Sequence, residues 1–296
     1  MSVKPFVKWA GGKGQILSAI QKKYPKNLGS GIHRYCEPFV GGGAVLFDVI
    51  ANYDIREVLI NDINAELINA YKQIRYSVTP LINELNKIEQ KFLPLSNEQR
   101  KEFYYQRRER FNYLKVNGND TVNLEKAVLF IFLNKTCFNG LFRVNKQGLF
   151  NVPMGSYKRP LICNETNLKM ISALLQKVKI ICGDYKQTVT FIDESTFVYI
   201  DPPYRPLTDT ANFTAYDEAP FGDKEQIELQ NFVQVLDENG AKVVISNSDP
   251  KNTDDKNEFF DDLYKAFSIS RVKAKRMINC NGESRGDVSE LIITNY

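Results

Sequence analysis

The apolar run Phe197-Val198-Tyr199-Ile200 stops at Asp201-Pro202-Pro203-Tyr204, and this junction constrains the chain more than any other segment. The run has the length and make-up of a buried strand. The four residues after it therefore stand at a strand's carboxyl end, where open α/β sheets place ligands. Two consecutive prolines fix φ near about −65° and remove two backbone donors, and the first of them pushes Asp201 toward extended backbone. The strand ends in a stiff turn that offers a carboxylate, carbonyl acceptors and an aromatic face. Such a turn suits a flat ring carrying an amine: the acceptors take the amine protons, and Tyr204 stacks on the ring.

Further strand-like runs fall at residues 34–36, 58–61, 178–182 and 243–246, with helix-period segments at 14–24, 44–51 and 65–75 between several of them. Asn64 stands as the N-cap of the last of these. Strands alternating with helices predict an α/β fold with a doubly wound, mostly parallel, Rossmann-like sheet. Residues 78–157 break that rhythm. Helices are expected there at 80–92, 97–115 and 124–134, followed by a Gly/Asn-rich loop. The stretch reads as an inserted helical subdomain, leaving 1–77 and 158–296 to the sheet domain. Residues 268–278 and 288–294, around Asn281-Gly282, predict an antiparallel hairpin on the sheet. The 296 residues are enough for one large α/β domain plus such an insertion.

Composition excludes more than it assigns. A chain 43% hydrophobic and 25% charged is that of an ordinary soluble globular protein. A net charge of +4 permits nucleic acid as partner without demanding it. The basic clusters (Lys22, Lys23 and Lys26; Arg107, Arg108 and Arg110; Arg271, Lys273, Lys275 and Arg276) read equally well as solvated faces. Five cysteines lie dispersed with no CxxC pair, which predicts a reduced, cytoplasmic protein. His33 is the only histidine, so a zinc site or a histidine-based triad is not expected. No run has the length of a membrane span, and the N-terminus lacks a signal-peptide core.

Three more segments carry chemistry. Glu37-Pro38-Phe39-Val40-Gly41-Gly42-Gly43-Ala44-Val45 follows a strand and opens a helix. Its glycines permit a tight turn and close approach of a ligand, beside the free amides of a helix start. A dinucleotide fingerprint would require glycine where Leu46 stands; a cofactor without pyrophosphate would not. Asp62 ends the second strand, where an acid commonly grips ribose hydroxyls, so turn and acid together favour a nucleoside-bearing cofactor. Phe6-Val7-Lys8-Trp9-Ala10-Gly11-Gly12-Lys13 looks superficially like a phosphate loop, but Val7 and Gly14 break that motif. It leaves a tryptophan and two lysines beside a flexible turn, which alone reads as a packed N-terminal arm. Asn139-Gly140-Leu141-Phe142-Arg143-Val144-Asn145 and Phe150-Asn151-Val152-Pro153-Met154-Gly155-Ser156-Tyr157-Lys158 interleave polar, aromatic and basic residues. Alone they read as an ordinary loop, but such a surface could also reach base edges and stack on exposed bases.

In the order 6–13, 39–43, 139–157 and 201–204, together with 206–216 and Ile245-Ser246-Asn247, these segments resemble the Dam-type DNA adenine methyltransferases over nearly the whole chain. The resemblance implies S-adenosylmethionine as cofactor and double-stranded DNA as substrate. It implies that Trp9, Lys13, Asp62 and Asp201 contact the cofactor, with Phe39, Gly41 and Gly43 lining its pocket and Asp184 and Tyr185 flanking its adenine ring. It makes the insertion a target-recognition domain. Lys8, Leu141, Arg143 and Pro153 would face target base pairs, Phe138 and Asn139 would wedge into the duplex, and Tyr157 would lie near the DNA. Thr136-Cys137 before Phe138 departs from the bulkier residues common among relatives. Asp201, Pro202 and Tyr204 would be catalytic, acting on an adenine flipped out of the helix, with GATC as the expected site and no metal. The setting implied is genome methylation, alone or opposite a restriction endonuclease that acts on the same site without stable binding. A cytosine-ring route through a covalent cysteine would need a Pro-Cys motif, which is absent. The acceptor turn by itself also suits the amine of cytosine or of RNA adenine. From other classes, a non-catalytic DNA-binding module and a nicotinamide-dependent oxidoreductase fit the intact turns less well.

Overall fold

The computed structural model describes residues 3–9, 11–118, 122–205, 221–275 and 287–296. Strands β1 (Arg34–Glu37), β2 (Glu57–Asp62), β3 (Val178–Cys182), β4 (Thr196–Ile200), β5 (Lys242–Ser248), β6 (Ser268–Lys275) and β7 (Asp287–Thr294) form one seven-stranded sheet. Its order is β3-β2-β1-β4-β5-β7-β6. The first five strands pair in parallel, and β7 runs antiparallel between β5 and β6. The doubly wound, mostly parallel sheet and the antiparallel C-terminal pair are as the sequence predicts. The Asn281-Gly282 turn, residues 276–278 of the expected hairpin and segment 206–216 lie outside the described residues.

Helices α1 (Leu17–Gln21), α2 (Ala44–Asn52), α3 (Ala65–Tyr76), α4 (Val78–Phe92), α5 (Asn97–Asn117), α6 (Leu124–Thr136), α7 (Glu165–Leu175), α8 (Asp223–Glu238) and α9 (Phe259–Leu263) cover the sheet. Side-chain caps start several of them. Asn64 accepts from the Leu67 amide at α3, and Ser96 and Gln99 form a reciprocal capping box at α5. The helix expected over 14–24 is instead a 3-10 turn, Lys13–Gln15, followed by the short α1. Gly14 weakens a helix, Ile16 breaks it at φ −105° and ψ 6°, and Tyr24 precedes a proline.

Strand alternation divides the core. Along β4, Phe197 and Tyr199 join the layer under α2, α3 and α7, whereas Val198 and Ile200 join the layer under α8 and α9. All of β4 is buried, as a central parallel strand must be. Helices α4 to α6 share the first layer: Leu81, Leu85, Tyr104, Phe111 and the α6 run Ala127–Leu133 pack into the same apolar cluster as Tyr35 and Phe197. No helix among the described residues is long and apolar enough to cross a membrane.

Candidate active site

The strand order changes direction between β1 and β4, so the turns that follow these neighbours open on one crevice. After β1, the chain makes the glycine turn with φ of +47° at Gly41 and +73° at Gly43, the latter capping α2. Both positions exclude a side chain. A Cβ on Gly43 would lie 2.5 Å from the Tyr71 hydroxyl, and one on Gly41 would lie 2.9 Å from Trp9 Cδ1. Tyr71 braces the turn by donating to the Gly41 carbonyl at 3.0 Å. Asp62, at the end of β2, accepts from the amides of Gly41 (3.0 Å) and Asn64 (2.9 Å), so it too holds the turn.

After β4 comes the acceptor turn. Asp201 Oδ1 meets the Lys13 ammonium at 2.8 Å and accepts from the Ser246 hydroxyl at 3.1 Å, which is itself bonded to Tyr199. No donor among the described residues takes the Pro202 carbonyl. The Pro203 carbonyl accepts from Gln226, which Asn247 holds in turn. Tyr204 does not enter the apolar interior. Its hydroxyl accepts from Lys13 at 2.6 Å and donates to Glu290 at 2.9 Å. Lys13 completes its three hydrogen bonds at the Gly11 carbonyl, 2.8 Å away, and is almost fully buried. The lysine expected against the cofactor therefore sits on two of the three catalytic candidates, Asp201 and Tyr204.

Two carboxylates, Asp201 and Glu290, face this single ammonium. Burial raises the Asp201 pKa, Lys13 opposes the rise, and Glu290 adds to it. The Tyr204 phenol is pushed up by burial, then by Asp201 and Glu290, and stays protonated. Under the glycine turn, burial also raises the Glu37 carboxyl, which accepts from Tyr35.

Aromatic rings line the crevice. Half-buried Phe39 lies 5.0 Å from Tyr185, whose other side packs edge-on to Phe232. Asp184 is exposed and caps the 3-10 turn that follows it by accepting from the Lys186 amide. Trp9 covers Gly41 and stacks on Phe142 at 6.0 Å, so it joins the glycine turn to the loop after α6. S-adenosylmethionine fits the chemistry that is present: the carboxylates of Asp62, Asp201 and Glu290 against the one Lys13 ammonium suit a sulfonium, and the Phe39 and Tyr185 rings suit an adenine. Trp9, Phe39, Gly41, Gly43, Asp62 and Tyr185 would hold it.

The loop residues singled out in the sequence gather on a second surface. The Lys8 backbone is paired in both directions with the buried Asn134 amide, at 2.8 and 2.7 Å. Gly140, with φ +65°, leaves room for the Lys8 stem, and the Lys8 ammonium sits 3.9 Å above the Tyr157 ring. The Phe138 amide donates to the Pro153 carbonyl. Lys8, Phe138, Asn139, Arg143 and Pro153 are exposed; Leu141 and Tyr157 are half-buried. Asn139 adopts a left-handed φ of 54°, uncommon for a side-chain-bearing residue. Arg143 is oriented by its Nε, which donates to Asn151 at 2.8 Å.

Sequence reasoning passed over Glu290, Ser246, Gln226, Asn134 and Lys135 as site residues. Ser246 lies inside a segment that the resemblance marks, but no local signal distinguishes Glu290 among the polar residues of a strand. Lys135 lies in the last turn of α6, and burial together with Lys8 pushes its ammonium down to about 8.

The family model described as D12 class N6 adenine-specific DNA methyltransferase matches residues 9–278. The type II methyltransferase M.MjaIII of Methanocaldococcus jannaschii is 51% identical over 298 residues, covering 100% of both chains. The type II methyltransferase M1.LlaDCHI of Lactococcus lactis subsp. cremoris is 35% identical, over 100% of this chain and 96% of its own. A DNA adenine methylase of Vibrio cholerae is 36% identical over 98% of this chain and 95% of its own.

Proposed function

The chain belongs to the D12 class N6 adenine-specific DNA methyltransferase family, and on that premise we propose that it methylates the exocyclic amine of an adenine extruded from duplex DNA, within GATC. The cofactor that the family implies is S-adenosylmethionine. The observation that carries the reading is the meeting of the Asp201 turn and the glycine turn in one crevice at the sheet's reversal point.

Adenine's amine is a poor nucleophile because its lone pair is delocalised, and extrusion costs roughly a few kcal/mol. When bound, S-adenosylmethionine supplies a methyl on a sulfonium sulfur, which departs as a neutral thioether. The Asp201 carboxylate accepts one amine proton and the Pro202 carbonyl the other, which favours a pyramidal nitrogen and offsets the charge growing there. Lys13 and Ser246 both use Oδ1, so among the described residues Oδ2 is the oxygen left for the amine. As the new N–C bond forms, one N–H proton is given up toward Asp201. Tyr204 clamps the ring.

Helices α4 to α6 and the loop after them, within 78–157, form the DNA-reading part in this proposal, with 1–77 and 158–296 as the catalytic part. Arg143 reads a guanine edge, Lys8, Leu141 and Pro153 face base pairs, Phe138 and Asn139 fill the gap left by the extruded base, and Tyr157 carries Lys8. The setting is the cytoplasm. Two of the relatives are named type II methyltransferases, which supports protection of a site that a cognate endonuclease cuts.

The test is expression in a host that lacks adenine methylation, followed by nucleoside analysis of DNA and RNA and sequencing-based mapping. N6-methyladenine in DNA at GATC is expected. N4-methylcytosine, methyl in RNA alone, or no methyl at all would overturn the proposal.

A further inference from the structure

We infer that Glu290, on β7, is a positioning residue for methyl transfer: it fixes the Tyr204 phenol, and through it Lys13, over the acceptor turn. The inference rests on the function proposed above and concerns a residue that touches neither reacting atom.

Topology carries the first part of the argument. Because β7 alone runs antiparallel, its early residues lie at the edge where the parallel strands end. Glu290 pairs with Ser248 on β5 and with Val272 on β6, so its backbone is held on both sides. The acceptor turn, residues 201–205, is irregular backbone with no ladder bonds among the described residues; side chains hold it, Gln226 at the Pro203 carbonyl and Asp223 at Arg205. A rigid strand thus presents a carboxylate to a turn that has lost two amide donors to proline.

Hydrogen-bond counting carries the second. The three protons of the Lys13 ammonium are met by Gly11, Asp201 and Tyr204, and Glu290 is 3.9 Å away. The carboxylate therefore acts on the lysine chiefly through the tyrosine. The Tyr204 hydroxyl accepts from Lys13 and can give its single proton only once; Glu290 takes it at 2.9 Å. Both ends of the phenol's hydrogen bonding are thereby fixed. Without Glu290 the phenol proton loses its fixed acceptor, and the hydroxyl that receives the Lys13 proton is held from one side alone. Glu290 forms no bond in the reaction and ends it as it began.

The experiment is a double-mutant cycle of Glu290→Ala and Tyr204→Phe, read in single-turnover methyl transfer and in thermal unfolding, with Glu290→Gln as the conservative variant. Glu290→Ala is expected to slow transfer by roughly tenfold or more while the dissociation constants of S-adenosylmethionine and DNA stay within about threefold. Glu290→Gln, whose amide oxygen can still accept, is expected to recover most of the rate. In the Tyr204→Phe background, Glu290→Ala is expected to cost less than about twofold, and the two melting-temperature shifts to be clearly less than additive. A full rate in Glu290→Ala, no rescue by glutamine, or additive effects in both readouts would overturn the inference. Absence of N6-methyladenine with the unmodified enzyme would instead defeat the function proposed above. The thermal cycle would then still judge the Glu290–Tyr204 contact.

Discussion

Arg143 is exposed, and only its Nε has a partner among the described residues, so the outer guanidinium nitrogens are held in orientation and left for a ligand. A bidentate guanine contact is worth roughly 1–3 kcal/mol of discrimination. Arg143→Ala should therefore relax sequence preference more than it weakens general DNA binding. Methylation rates over a panel of variant sites check this, and an unaltered preference counts against the assignment. Asp201 gives a pH prediction. Its folded pKa is raised, chiefly by burial. The ionised form accepts the amine proton, so transfer should fail as pH drops through a value above the ordinary aspartate figure of about 3.9. Linkage runs the other way for stability: the raised group favours the fold most below its unfolded pKa, and that contribution is lost as pH rises through the folded value. Single-turnover pH profiles with an acid limb at or below the usual carboxylate range would contradict the placement. Asp201→Ala should abolish transfer and leave DNA binding in place.

At the scale of elements, the glycine turn is the part most tightly set by its neighbours. Gly43 has φ +73°, and its missing Cβ would meet the Tyr71 hydroxyl at 2.5 Å. Gly43→Ala should cost roughly 1–3 kcal/mol in urea unfolding, the range for forced overpacking. Tyr71→Phe removes the obstructing oxygen, so the same glycine change should cost less in that background. Equal costs in both backgrounds would show that backbone strain, and not the tyrosine, governs the turn. α6 shows a different constraint. It is buried nearly all round, and it delivers Asn134 to the Lys8 backbone. The N-terminal arm is therefore docked by two buried amides, Asn134 at the Lys8 backbone and Asn167 of α7 at the Lys4 backbone.

Across the whole molecule, the arm ties the two surfaces together: Lys8 lies on Tyr157, Trp9 on the glycine turn and Phe142, and Lys13 on Asp201. Trp9 is the only tryptophan. Its fluorescence should change when S-adenosylmethionine is titrated in, and a flat signal despite independently measured binding would place it outside the pocket. At the far end of the arm, Lys135 carries a pKa of about 8 beside Lys8. DNA affinity should accordingly fall as pH rises through about 8, because one cation near the duplex is lost. Lys135→Arg, which stays charged, should remove that dependence in a binding titration.

The strands, the helix over 44–51 and the acceptor turn were legible in the chain itself. Local backbone chemistry writes them: prolines stop β4, glycines turn after β1, and apolar runs of strand length mark what is buried. Residues such as Phe138, Asn139 and Arg143 were legible as one segment because they are close in sequence. The 14–24 region was misjudged as a single helix, since apolar spacing there outweighed the glycine and the proline that break it. Which distant groups meet was not written locally. The partnership of Lys13 with Asp201 spans 188 positions and depends on where the arm crosses the sheet. Glu290 reaches Tyr204 because one strand enters the sheet reversed, which sets its early residues at the carboxyl edge. Sequence determines what each segment can be, through torsional preference and burial. The packing of strands in space decides which side chains share a charge, a proton and a crevice.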